Sequence, residues 1–252
     1  KPLAPGQQIT ITTPFHEKLP FNYSRGGYAG ESFQITQWYP KPAVYDKIGW
    51  HPIPYLDQGE FYSEFGSFDV RITIPENYVV AATGELQTEQ EKQWLKKRLA
   101  IDKTIRKKNT TTQKKPVKTL HDPGPVVSIK TKTLQYKQDN IHDFAWFGST
   151  VFLVNNDTCR LPSGRIVEVY SFYSEHEENI WKNSLQYAKD ALRFYSSEIG
   201  EYPYNVASVV QGPKSFGGGM EYPTITVISP ISSAKDLDDV IAHDRCRCSW
   251  LR

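Results

Sequence analysis

One stretch narrows what this chain can fold into: Phe216 to Asp244, written F-G-G-G-M-E-Y-P-T-I-T-V-I-S-P-I-S-S-A-K-D-L-D-D-V-I-A-H-D. It reads as a glycine loop, a carboxylate, a strand and a helix that carries a histidine. Gly217, Gly218 and Gly219 lack a Cβ, so backbone there can approach a neighbour closely. Glu221 follows at once. Thr224 to Ile228 is a β-branched run and is expected to be a strand. Ser233, with Asp236 three residues on, marks a helix start of the capping-box kind. Leu237, Val240 and Ile241 then share one helical face, and His243 comes one turn further on.

Two segments of this stretch carry a family resemblance. Gly218-Gly219-Met220-Glu221-Tyr222 resembles the G-x-M-E-N motif of the aminopeptidase N family of zinc metallopeptidases. Val240-Ile241-Ala242-His243 resembles the opening of that family's V-x-A-H-E-x-x-H helix. Both stand in the family's order and at its spacing. The likeness extends through the β-rich stretch before them, and Gln37 to Asp46 is similar to a segment of bacterial members. The resemblance implies a zinc-dependent hydrolysis of N-terminal residues from peptides. Gly218, Gly219, Met220 and Glu221 would bind the substrate, with Glu221 gripping its α-amine, since a carboxylate pairs with an ammonium. His243 would be the first zinc ligand, residue 244 would occupy the position of the catalytic base, and Gln37 to Tyr39 would border the cleft.

After His243 the pattern breaks. The family has Glu next, whereas this chain has Asp244, one methylene shorter and expected to reach a metal-bound water poorly. The second family His falls on Arg247, a permanent cation with no lone pair for a metal. A catalytic zinc takes three protein ligands and keeps one position open, and only His243 is in register. Cys246 and Cys248 form C-x-C beside a lone His, which is not a recognised zinc spacing. The chain is therefore expected to be truncated inside the zinc motif, to leave His243 unmetallated and to have negligible aminopeptidase activity. The ending from Arg245 to Arg252 is expected to be out-of-frame or degenerate sequence.

Elsewhere the chain of 252 residues reads as short strands joined by Pro and Gly turns, and 13% aromatic residues favour sheets. Phe68 to Ile74 alternates cleanly, Ser32 to Thr36 and Gln8 to Thr12 also alternate, and Tyr78 to Ala82 is apolar throughout. Strands are expected again at Val126 to Tyr136, around Phe147 and Val154, at Ile166 to Phe172 after the turn Leu161 to Arg165, and at Val206 to Val210. Ser174 with Glu177 is expected to cap a helix whose stripe is Trp181, Leu185, Ala188, Leu192, Tyr195 and Ile199. The fold class is thus mainly β with an α+β C-terminal part. Residues 1–171 form an antiparallel sandwich or saddle, and 172–252 form the start of a thermolysin-like domain.

A basic insertion interrupts the first part at about 89–118, with a short helix expected over Glu89 to Ala100. Its lysines lack interleaved aromatics, so it reads as a solvated face rather than a nucleic-acid site. A net charge of +2 gives no global field for nucleic acid either. No apolar run is long enough to span a membrane. Cys159 stands alone in the body of the chain, so no disulfide framework is expected. The partner implied is a peptide, and exported relatives make the cell envelope the expected location. The reading that competes with an enzyme is a non-catalytic aromatic β-sandwich that binds protein or glycan through Trp38 or Trp50.

Overall fold

The computed structural model describes residues 3–54, 62–99, 130–213 and 217–250, the last five as backbone only. As expected, the architecture is mainly antiparallel β-sheet with a few helices. The expected strand at Gln8 to Thr12 is absent. Its alternation leaves both Ile9 and Ile11 exposed, and no strand pairs with it among the described residues. A period of two makes a strand only when a neighbour takes up its hydrogen bonds and one face is buried.

Three small sheets make up the first part. β1 (Gly27–Ala29), β2 (Ser32–Ile35), β9 (Trp146–Ser149) and β6 (Val79–Ala82) form an antiparallel sheet in the order β1-β2-β9-β6. β5 (Gly66–Pro75), β8 (Thr131–Ile141) and β7 (Glu85–Leu86) form the second, ordered β5-β8-β7. In β5 the predicted alternation holds: Ile72 and Ile74 are buried while Asp69, Arg71 and Thr73 face water. β3 (Val44–Asp46) and β4 (Gly49–His51) form an isolated hairpin that stops before Pro52, a residue unable to extend the ladder. The helix expected after Glu89 is present as α1 (89–99). The rest of the basic insertion, and the first residues of the strand predicted at Val126 to Tyr136, lie outside the described residues, while Thr131 to Tyr136 fall in β8 as expected.

The fourth sheet holds the site. Its order is β10 (Phe152–Arg160), β11 (Ile166–Ser174), β12 (Val206–Gln211), β14 (Ile225–Ile228) and β13 (Gly219–Tyr222). β11, β12 and β14 run parallel to one another; β10 and β13 pair antiparallel at the two ends. The parallel step from β11 to β12 is made through helices. Sequence reading predicts one helix capped by Ser174, but the chain instead forms a 3-10 turn at Glu175–Glu177, then α2 (Glu178–Trp181) and α3 (Ser184–Glu198). The Ser174 side chain makes no cap bond, and its N–H donates to Gln211 Oε1 at 2.7 Å. At the break, Ser184 Oγ donates to Trp181 O and lies 2.6 Å from Ser171 Oγ, which competes with a continuous helical ladder.

α3 and α4 (Ala234–Trp250) lie together on one face of this sheet. Ala188 and Leu192 of α3 and Leu237 and Ile241 of α4 pack there with Ala207, Val209 and Ile228. On the opposite face Met220, Tyr222, Ile225, Val227 and Val210 meet Val79, Ala81 and Phe147 of the first sheet. Burying each of the α4 anchors, Leu237 and Ile241, contributes about 1.5–3 kcal/mol. Between them they hold the helix against β13 and β14.

Candidate functional site

The site begins at the turn between β13 and β14. Pro223 and Thr224 form it, and Thr224 has a φ of +65°. A β-branched residue is rarely found there, because its Cβ crowds the backbone. Two buried hydrogen bonds hold it: Gly84 N donates to Thr224 Oγ1 at 2.7 Å, and Ser208 N to Thr224 O at 2.8 Å. This clamp fixes the register in which Glu221 faces Thr226 and Gly219 faces Ile228. At the other end of β13, Gly218 N donates to Ser229 Oγ at 2.8 Å and Ser229 N to Gly218 O at 2.9 Å.

Each glycine here serves a different need. A Cβ at Gly217 or Gly218 would meet nothing within 4 Å, so neither is closely approached by the described protein; Gly218 is needed for its φ of +108°. Gly219 is the close approach. A Cβ there would come within 2.7 Å of Val240 Cγ1 and would run into the carboxylate of Asp244. Gly219 and Glu221 alternate onto the face of β13 that looks at α4. Met220, between them, is buried in the opposite core.

α4 brings the second half of the site. Ser233 caps it as expected, accepting the Asp236 N–H at 3.1 Å. Leu237 and Ile241 turn into the core, which leaves the His243 side chain 62% exposed and that of Asp244 only 2% exposed. His243 Nδ1 and Asp244 Oδ1 lie 3.0 Å apart, while Asp244 Oδ2 is buried and finds no hydrogen-bond partner. Burial pushes the Asp244 carboxyl up to about 6, and the negative charge of Glu221 adds to the rise. The His243 contact and the charge of Arg245 pull it back only in part. Asp244 thus feels both Glu221, a like charge, and His243 on its own helix.

Arg245 is the residue that sequence reading did not anticipate as structural. It is wholly buried, donates through Nη2 to Ser208 O, and leaves Nε and Nη1 without partners. The signal was available: apolar residues at 237 and 241 imply that position 245, two turns beyond 237, also faces the core. A second feature missed was Asp143. It accepts the Tyr39 hydroxyl at 3.0 Å and the Phe144 N–H at 2.7 Å, and lies 2.8 Å from Lys41 Nζ. Burial and this carboxylate push the Tyr39 phenol up. Asp143 thus ties down the segment that follows Gln37, itself at a φ of +55°. Trp38 is built into the same knot, donating from Nε1 to Phe144 O at 3.0 Å, whereas Trp50 is 69% exposed and its ring lies 4.9 Å from that of Tyr45.

The zinc that the sequence resemblance implies does not fit these residues. Among the described residues no three His, Cys, Asp or Glu side chains converge. His243 has one ring nitrogen engaged by Asp244, and Asp244 is folded beneath Gly219.

No family model and no curated protein matches the chain. Among solved structures, the fold is similar to that of Legionella pneumophila aminopeptidase A crystallised with aspartic acid. The TM-score is 0.52 at 11% identity, over 88% of this chain and 23% of that one. An M1 zinc metallopeptidase from Deinococcus radiodurans is similar with a TM-score of 0.44 at 16% identity, over 71% of this chain and 33% of that one. The chain therefore spans 23% to 33% of the length of these structures, and what it shares with the Legionella enzyme is the fold. Among the described residues no helix is long and apolar enough to cross a membrane.

Proposed function

We propose that this chain carries the amine-anchoring part of an aminopeptidase site of the aminopeptidase N type. Residues up to 171 form its N-terminal β part, and residues from 172 begin its catalytic part. One observation carries the reading: Glu221 stands on the outer strand of a sheet, on the face turned to α4 and its Asp244. β13 has no strand beyond it among the described residues, so an extended peptide has an edge to pair with. A carboxylate projecting beside that edge distinguishes the charged first residue from every later one, because only the first carries an ammonium. Gly218 and Gly219 keep side chains away from the backbone that a peptide would approach.

The test is binding of a short peptide with a free amino end, measured by calorimetry against its N-acetylated form. The charge-assisted contact is worth about 1.5–3 kcal/mol, so both acetylation and Glu221→Gln are expected to weaken binding by about tenfold or more. Equal affinity for both peptides would overturn the reading. A second reading rests on the exposed Tyr45–Trp50 pair: a non-catalytic module that stacks its ligand on these rings. Trp38, hydrogen-bonded and packed against the core, offers no such surface.

A further inference from the structure

We propose that a cavity on the far side of the five-stranded sheet from α4 binds a small primary amine with an apolar body. The cavity holds about 340 Å³, with β6 and β7 on one side, α1 on another, and β11 and β12 as its floor. Sites for small ligands fall in this size range and are apolar, with a few converging polar groups. In β11, Val167, Val169 and Tyr173 turn toward the core under α3 and α4, so Glu168, Tyr170 and Phe172 turn the other way. The sheet stands between this cavity and Glu221, so neither site needs the other. The wall is apolar and aromatic, made by Ala82, Leu86, Leu95, Tyr136, Tyr170 and Phe172. The rings of Tyr170 and Phe172 stack at 5.9 Å, and the Tyr136 hydroxyl donates to Val80 O at 3.1 Å.

Charge is spread unevenly around this cavity. At the Asn205 end stand two carboxylates, Glu85 and Glu168. Asn205 brings them together: its backbone O accepts the Glu168 N–H at 2.8 Å, and its Nδ2 donates to Glu85 Oε1 at 2.9 Å. Arg165 fixes which way that amide points, donating to Asn205 Oδ1 at 3.3 Å, but its own charge is taken by Glu201 at 2.8 Å. Tyr170 donates its hydroxyl to Glu168 Oε2 at 2.9 Å. Burial, and then the Glu168 charge, push this phenol up, so it stays protonated and donating. Both carboxylates thus have neutral partners, and neither makes an ion pair among the described residues. On the α1 side Lys92 is matched by Glu89 at 2.7 Å, and Lys96 acts on the same acid. The unmatched charge of the cavity is therefore negative. An ammonium supplies the missing cation, and its three N–H donors suit two carboxylates. Its apolar body covers the rings, whose faces also attract a cation. An anion would meet two like charges there, and a neutral ligand would leave them without a counter-charge.

Amide-shift titration of the labelled full chain tests this with phenethylamine and its neutral isostere phenethyl alcohol. The expected result is saturable shifts at Ala82 to Leu86, Leu95 and Glu168 to Phe172, with the alcohol at least about tenfold weaker, as loss of a charge-assisted contact implies. The double variant Glu85→Gln, Glu168→Gln should remove that preference, and Glu221→Gln should leave it unchanged. Both cavity glutamates reach solvent, so their exchange is expected to keep the fold, which the rest of the spectrum reports. Equal affinity for amine and alcohol, no saturable shift around the cavity, or a preference for the amine that survives the double variant would overturn the proposal. Shifts confined to Gly218 to Tyr222 and lost in Glu221→Gln would also overturn it, while supporting the amine reading of Glu221.

Discussion

At the scale of single residues the site turns on two neighbours in α4 with opposite demands. Asp244 is a carboxylate kept in a pocket that disfavours its charge; Arg245 is a cation that cannot lose its charge. Both have polar atoms without partners, although they are adjacent in sequence, because successive helical residues point about a hundred degrees apart. Removing one member of a buried group of interacting charges leaves the other uncompensated and costs about 3–5 kcal/mol. Arg245 acts on the Asp244 carboxyl and donates to Ser208 O, so Arg245→Leu is expected to lower the thermal midpoint, read by circular dichroism. A rise in the midpoint would show that the guanidinium is poorly compensated where it stands. Asp244 and Arg245 also mark where sequence reading was partial. The motif likeness singled out His243 and Asp244 as chemistry, and it left Arg245 as part of a meaningless tail. Helical periodicity sends position 245 inward, and the structure follows periodicity.

At the scale of elements, the contact between β13 and α4 decides whether there is a site at all. It is made through Gly219, whose missing side chain is filled by Val240 and Asp244. Gly219→Ala would force the strand from the helix and is expected to cost about 1–3 kcal/mol, as overpacking does. Gly217→Ala, two residues away in open space, is expected to be nearly neutral. Chemical denaturation of the two variants checks this, and equal effects would deny the close approach. The three glycines looked equivalent in sequence, since nothing local says which of them a helix some twenty residues later will touch. The strand β14, the cap at Ser233 and the inward stripe of α4 were legible from local pattern, whereas β13 was not, its residues reading as a glycine loop and a carboxylate. Thr224 was not: it was read as part of the strand, yet it is the turn residue at positive φ, held there by partners 140 and 16 residues distant. The break between α2 and α3 escaped for the same kind of reason, because hydroxyls at Ser171 and Ser184 meet only once the sheet is formed.

At the scale of the whole molecule, alternation and turn residues were enough to give a mainly β chain with most of its helices in its C-terminal part. They were not enough to say which strands pair. β2 finds β9 and β5 finds β8 across long gaps in sequence, and the alternation at Gln8 to Thr12 finds nothing. The five-stranded sheet then sets β13 at its rim, facing α4, and leaves the aromatic ribbon of β3 and β4 as a separate exposed surface. Which of these two surfaces takes a ligand is the central question, and one measurement addresses it directly. A heteronuclear amide-shift titration of the labelled chain with a free-amine tripeptide, in chelator, reports both surfaces at once. The account predicts shifts concentrated at Gly218 to Tyr222 and around His243, with Tyr45 to His51 unmoved. Shifts confined to the Tyr45 and Trp50 ribbon, or none along β13, would contradict it.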